Sequence, residues 1–400
     1  MLSLDEALER LLARAVRKPG EPVALADAAG RVLADPLIRA AVDVPAFDNS
    51  AMDGYAVRAA DTPGTLALVG EVTAGMASLP TVAAGAAVRI MTGAPMPSGA
   101  DAVVPIEEAD EGDGTVVVAE ARPGAHVRAA AHDTRSGDEV PMPGELTPAK
   151  IAVLASLGLG VVDVRRRPVV AILSTGDELV GVGEALGPHQ VHDANGVALA
   201  AAVREAGGEA LLLPHAPDDA AVIERVLADA ASRADLLVTS AGVSVGRHDH
   251  VRGVLEARGA LDFWRIAVQP GKPLAVGELA GTTVIGLPGN PVSALVVFEL
   301  FVRPFIRAML GLPGDGRLHV RAVSEARIGK DPARRGFLRV IVRQGDGVVH
   351  ARAAGGQQSS QLRPLADGNA LLVVPEGEDA AHPGSSYEAI VLEPITLSGP

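Results

Sequence analysis

The chain reads as a multidomain α/β protein. It has a central parallel α/β sheet domain, a β-rich insertion, a small discontinuous helical domain and a C-terminal, barrel-like β domain. Three observations predict this. The 400 residues exceed what one hydrophobic core organises, since single cores stop growing at about 250–300 residues. From Arg167 to residue 310, apolar β-branched runs alternate with amphipathic helical stretches, the pattern of a parallel sheet covered on both faces. Hydrophobic residues make up 48% of the chain, yet it holds only six Phe, two Tyr and one Trp. The core must therefore be Ala, Val, Leu and Ile, which suits such layers.

The elements follow in order. "SLDEALERLLARAV" is an amphipathic helix with Ser3 and Glu6 as a capping box and Leu4, Leu8, Leu11 and Ala15 on one face. Residues 42–139 switch to short apolar runs ("TLALVG", "AAVRIM", "GTVVVAE") between Gly, Pro and Asp, a β-rich insertion. A helix restarts at "LTPAKIAVLASLG" with Thr147 as N-cap, Pro148 in its first turn and Gly158 at its end. It is expected to pair with the N-terminal helix, making residues 1–41 and 140–166 one discontinuous domain around the insertion. Residues 167–310 form the α/β domain. Its strands are "PVVAIL", "EALLL", "ADLLVTS" and "TTVIGLP". Its helices begin at Asp193 or Asn195, at Asp218, at Asp249 and at Asn290. Residues 311–400 return to strands, with "GDG" at 345–347 as a turn between two of them.

Composition excludes several function classes. A formal charge of −14 argues against nucleic acid or an anionic membrane as partner, because both call for a basic face. Any bound anion must be held by local donors. The absence of cysteine rules out disulfides, thiol nucleophiles and thiolate metal sites. The N-terminal helix is too acidic for a signal peptide, and the longest uncharged run, 279–298, is broken by "PGNP"; the expected location is the cytoplasm.

Ligands of a parallel α/β sheet bind at the carboxyl ends of its strands. Three loops lie at such ends: "STGDEL" (174–179), "TSAGVSVGRHDH" (239–250) and "GLPGNP" (286–291). Glycines let backbone N–H groups face an anion, hydroxyls add donors, and a strand leading into a helix N-terminus completes an anion-holding turn. Each loop alone reads equally as a plain strand–helix junction, but three at one edge mark a binding crevice. Asp177, Glu178, Asp218 and Asp249 beside anion-holding loops suit Mg²⁺, which takes one or two carboxylates together with phosphate oxygens. Asp218 and Asp249 also read as N-caps. "QPGKP" (269–273) offers Lys272 to an oxyanion from a loop stiffened by two prolines. In "FDNSAMDGYAVR" (47–58), Phe47, Met52 and Tyr55 place scarce large side chains among polar ones, as in a contact surface.

"FDNSAMDGYA", "TGAPMPSGADAVV", "STGDEL", "SAGVSVG", "PGKP" and "GLPGNPVSA", in this order along most of the chain, resemble the molybdopterin molybdenumtransferases, the MoeA family related to the gephyrin E domain. The resemblance implies a molybdopterin-binding α/β domain and the insertion of molybdenum from molybdate into adenylylated molybdopterin, with Mg²⁺-dependent release of AMP. It also implies a homodimer with a shared active site, served by a molybdopterin adenylyltransferase and serving molybdoenzymes. By motif position it puts functional acids at Asp53, Asp133, Glu178, Asp218 and Asp249, of which Glu178, Asp218 and Asp249 hold the metal. The implied pterin and phosphate contacts are Thr175, Gly176, Asp177, Ser240, Gly242, Ser244, Gly246, Pro288, Gly289, Asn290, Pro291 and Arg128. The implied molybdate contacts are Lys272, Arg265, Arg334, Arg339 and Ser360.

The chain departs from the family pattern at five positions. Ala241 stands where Ser-Gly-Gly is usual, and Arg247 where an acid is common. Arg265 and Gln269 replace lysines of some members, and Gly336 replaces a glutamate. Two other readings compete. A molybdopterin adenylyltransferase shares the strand-end loops but lacks both the insertion and the C-terminal β domain. A non-catalytic scaffold like gephyrin would not require the full set of acids.

Overall fold

The computed structural model describes residues 2–242, 250–257 and 261–397. Two compact units emerge, Glu21–Val164 and Met1–Gly20 together with Arg165–Pro400. In the first, a six-stranded sheet runs in the order Ala102–Pro105, Gly54–Val57, Ala86–Ile90, Gly64–Val72, Thr115–Val118, Ala109–Gly112. Both faces are covered. Tyr55 and Val57 pack with Leu66, Val104 and Val116 on one side, while Ala56, Val88, Ile90 and Val103 pack on the other. Side chains alternate across a strand, and this corrects the expectation for Tyr55. It is 1% exposed and bonded through its hydroxyl to Glu111, so it belongs to the core and to no contact surface. Phe47 and Met52, which precede the strand, are exposed.

The segments flanking this sheet meet in their own core, where Leu25, Ala28 and Leu33 pack with Met142, Leu146, Leu154, Val162 and Val164. The helix Pro148–Ser156 lies here with Thr147 as its N-cap, against the turn Leu25–Asp27. The N-terminal helix Leu4–Leu12 does not join it, contrary to expectation. That helix carries the predicted capping box and packs on Phe298–Val302 and Arg303–Leu310 in the other unit. Its buried stripe of Leu4, Ala7 and Leu11 meets another strongly amphipathic helix. Its first turn is tied to the C-terminal domain by Asp5, which accepts two hydrogen bonds of 3.0 Å from Arg335.

The second unit is built on a six-stranded sheet in the order Glu209–Leu212, Val169–Ser174, Leu236–Ser240, Thr282–Leu287, Ala275–Leu279, Leu261–Trp264. The first four strands are the predicted parallel ones. The last two are antiparallel additions that make the sheet mixed. Pro291–Val297 continues through a π-helical turn, Phe298–Val302, into Arg303–Leu310. Pro304 has no N–H to donate and its ring displaces the carbonyl one turn back, so the ladder widens just ahead of it. The C-terminal strands close a five-stranded barrel: Arg335–Gly345 pairs with Val348–Ala353, then Leu318–Ser324, Ser386–Val391 and Ala370–Val374, which returns to Arg335–Gly345. Arg317, just before the barrel strand Leu318–Ser324, joins it to the helices that cover the sheet by bonding Glu299 at 2.9 and 3.0 Å and Glu205 at 2.8 Å.

Asp235 anchors the base of the central sheet. Its carboxylate accepts from Lys18 at 2.8 Å, Arg166 at 2.8 and 2.9 Å, and the Val169 amide at 2.8 Å. Burial works against its charge, but the Arg166 and Lys18 hydrogen bonds outweigh it and hold the carboxyl below its usual value. A carboxyl with a depressed folded pKa stabilises the fold above its unfolded pKa of about 3.9, and that contribution fades as pH falls toward the folded value. Asp235→Ala should cost about 3 kcal/mol at neutral pH, because it strands two cations. The gap from wild type should narrow below about pH 4. Urea denaturation on both sides of that pH measures it.

Candidate functional site

The parallel register decides where chemistry can occur. Ser174 is opposite Ser240, and Ser240 is opposite Leu287, so three strands end at one level and their loops emerge side by side. The ladder runs on into the loops: the Thr175 N–H donates to Ser240 O at 3.2 Å and the Ala241 N–H to Leu287 O at 3.1 Å. The loops enclose a cleft of about 490 Å³. Of the residues expected from sequence, Thr175, Glu178, Ser240, Gly242, Pro288, Gly289, Asn290 and Pro291 line it. Ser244, Gly246 and Asp249 lie outside the described residues, as does Arg247.

Each loop has a local cause. Gly176 and Asp177 turn the chain after Thr175, and the Glu178 carboxylate folds back until a Cβ at Gly176 would lie 2.5 Å from its Oε2. Asp177 Oδ1 accepts from the Asp218 N–H at 3.1 Å, tying this loop to the next. The cap of helix Ala220–Ala231 is Asp219, whose Oδ1 accepts from Ala221 and Val222 at 2.9 Å, and not Asp218 as expected. Asp193, the cap of Ala194–Glu205, accepts from Gly196 at 2.8 Å. Asn290 occupies the cap position of Pro291–Val297 without a side-chain cap bond. Its amide donates instead to Ser359 Oγ at 3.0 Å, so no side chain of its own closes off the first-turn amides. The Ser174 and Thr239 hydroxyls, buried at the ends of their strands, have no partner among the described residues.

The cations differ from one another. Lys272 is exposed on a loop whose Pro273 lines the cleft. Arg265 sits at a φ of 78° on the facing arm, where its N–H donates to Leu274 O. Arg334 is paired with Asp331 at 2.5 Å. Arg339 is 1% exposed and donates to Gly356 O at 2.9 Å and Gln358 O at 3.2 Å. It braces the loop 355–361 from within. On that loop Ser359 accepts from the Asn290 amide of the cleft loop, and Ser360 is exposed.

Asp53, Asp133 and Arg128 belong to the unit Glu21–Val164 and are exposed there. Arg128 is paired with Asn49 across a two-residue ladder, the Asp133 N–H donates to Val44 O at 2.9 Å, and Asp48 Oδ1 accepts from Ala130 at 2.7 Å. Asp53 Oδ1 accepts from the hydroxyl and N–H of Thr92 at 2.7 and 2.6 Å, which lowers its pKa.

Among the described residues no group of three His, Cys, Asp or Glu is placed to hold a metal ion. Glu178 lies in the cleft, and Asp177 and Asp218 stand on adjoining loops joined by the Asp218 N–H. Sequence reading missed Asn195, which lines the cleft and donates to both Ser240 Oγ and Gly289 O at 2.7 Å. It also missed Asp193, His192 and Ser359. The only signal was position: Asn195 follows a capping Asp at the start of a helix.

Residues 2–158 match the MoeA N-terminal region (domain I and II), residues 171–308 the probable molybdopterin-binding domain, and residues 321–392 the MoeA C-terminal region (domain IV). The chain is 42% identical over 369 residues to molybdopterin molybdenumtransferase 2 of Mycobacterium tuberculosis, covering 88% of this chain and 90% of that one. It is 37% identical to the molybdopterin molybdenumtransferase of Haemophilus influenzae, covering 99% of each. A crystal structure of a molybdopterin biosynthesis MoeA protein from Pyrococcus horikoshii superposes with a TM-score of 0.84 at 31% identity, covering 98% of this chain and 100% of that one.

The Lys272 loop depends on its glycine. Gly271 has a φ of 117°, and a Cβ there would lie 2.3 Å from Val297 Cγ2. Gly271→Ala should destabilise the protein by about 2–3 kcal/mol through strain and clash combined, read as a lower midpoint in thermal denaturation.

Proposed function

The chain belongs to the MoeA family of molybdopterin molybdenumtransferases, and we propose that it performs its reaction in the cleft at the strand ends. The reaction inserts molybdenum from molybdate into adenylylated molybdopterin, releases AMP and forms the molybdenum cofactor. The observation that carries the site assignment is the convergence of three strand-end loops on one cleft. Backbone amides of Gly242, Gly289 and Asn290, in the turns beside the cleft, receive the phosphate end of the pterin. Preorganised donors of this kind stabilise charge that develops as a phosphoanhydride is cleaved.

Glu178 and Asp218, with Asp249, would hold Mg²⁺, which supplies charge neutralisation on the phosphate oxygens when bound. Lys272 is the cation for molybdate. Arg334 and Arg339, with their protein partners, set the shape of the adjoining loops. In a homodimer arranged about a two-fold axis, Asp53, Asp133 and Arg128 of the second copy would complete the site, with Phe47 and Met52 as contact residues. No helix among the described residues is long and apolar enough to cross a membrane.

AMP release from adenylylated molybdopterin, with and without molybdate and Mg²⁺, tests the assignment. Wild type should require both. Lys272→Ala should raise the molybdate needed for half-maximal release about tenfold, roughly the contribution of one charge-assisted contact, with little change in the Km for the pterin. Equal loss of both would move the lysine to the phosphate.

A mixing experiment addresses the shared site. Asp53→Ala and Glu178→Ala should each be inactive. After subunit exchange in an equal mixture, about a quarter of wild-type activity should return, because half the dimers then contain one intact site. No recovery after demonstrated exchange would put both acids in one chain.

A further inference from the structure

We propose that Asn195 is a positioning residue of the cleft, whose carboxamide clamps the two turns that cradle the phosphate end of the substrate and fixes their separation. The proposal rests on the reading of the cleft given above. Asn195 is the second residue of the helix Ala194–Glu205. Its Nδ2 lies 2.7 Å from Ser240 Oγ and 2.7 Å from Gly289 O. A carbonyl only accepts, so the nitrogen must face Gly289, and its two hydrogens match the two acceptors. One side chain therefore spans the last residue of the Leu236–Ser240 strand and the turn between Thr282–Leu287 and Pro291–Val297.

The two turns are already in tight contact. A Cβ at Gly289 would lie 3.2 Å from the Ala241 Cβ, and Ala241 holds a φ of 75°, a conformation that is strained for a residue with a Cβ. Without the clamp, that turn is free to relax toward an ordinary conformation and carry its amides away from the cleft. Docking of the helix does not need the amide. Leu199, Ala200 and Val203 bury its inner face, and Asp193 caps its start.

The test uses Asn195→Ala, Asn195→Ser (too short to span both acceptors), Ser240→Ala and the Asn195→Ala/Ser240→Ala double variant of the full chain. In the unliganded protein, hydrogen exchange at the Ala241 amide should speed up about tenfold in both Asn195 variants, with amides of the central strands unchanged. The Kd for AMP by calorimetry and the Km for adenylylated molybdopterin should each rise about tenfold, the scale of one or two modest hydrogen bonds. The kcat should stay within about threefold, as for loss of uniform binding. The double variant should lose less affinity than the product of the single losses, since both substitutions remove the shared Asn195–Ser240 bond. Unchanged Ala241 exchange overturns the clamp, as does wild-type affinity in both Asn195 variants or multiplied losses in the double. Failure of wild type to release AMP would instead overturn the functional reading, and the exchange measurement would still decide the clamp.

Discussion

The site depends on the register of three parallel strands. With Ser174, Ser240 and Leu287 opposite one another, loops separated by more than forty residues in the chain must leave the sheet at one height. Parallel strands need crossover connections, and here the helices Ala194–Glu205 and Ala220–Ala231 lie between successive strands. A slip of one residue in any strand would turn its loop to the other face of the sheet. Asp235 opposes such a slip at the other end of the same strands by joining Lys18, Arg166 and Val169. The sheet is thus pinned at its base by charge and at its rim by the Asn195 carboxamide.

A chain of net charge −14 that binds anionic substrates works against its own long-range field. The cleft answers with short-range donors. Its lining is rich in backbone amides, hydroxyls and carboxamides, and the exposed Lys272 stands at its border. Carboxylates at the same rim are consistent with a divalent cation that bridges them to phosphate. The two remaining C-terminal arginines are bound to protein acceptors, so they shape loops that the barrel presents and add little free charge.

Much of this was legible in the sequence because it is local. The capping box at Ser3 and Glu6, the Thr147–Pro148 helix start, the GDG turn and the alternating strands and helices each depend on neighbours within a few residues. The three strand-end loops followed from the rule for parallel sheets. What failed depended on partners distant in sequence. Tyr55 and Phe47 look alike in a motif, but only the strand pairing puts Tyr55 in the core. One miss was local: Asp218 and Asp219 differ by a single residue of phase, and it is Asp219 that caps the helix. The first helix was assigned to the wrong partner because its apolar stripe does not say which other stripe it meets. Asn195 was invisible because its role needs two loops that arrive 45 and 94 residues later.

The departures from the family pattern show how a site absorbs change. Ala241 keeps the left-handed backbone conformation that glycine would adopt freely, and its methyl meets Gly289, the one residue type with space to receive it. At Gly336, a Cβ would fall 2.4 Å from Lys330 Cδ. The Lys330 stem therefore occupies the volume that a glutamate side chain would need, and its amine donates to Asp331 O at 3.1 Å and Arg334 O at 2.6 Å. Burial depresses the Lys330 pKa, opposed by Glu376 and Asp331. Gly336 and the inward Lys330 thus fit one another sterically. Together with Asp331, which bonds the Arg334 guanidinium and takes its own N–H bond to Gln269 Oε1 at 2.8 Å, they hold Arg334 by both its carbonyl and its side chain.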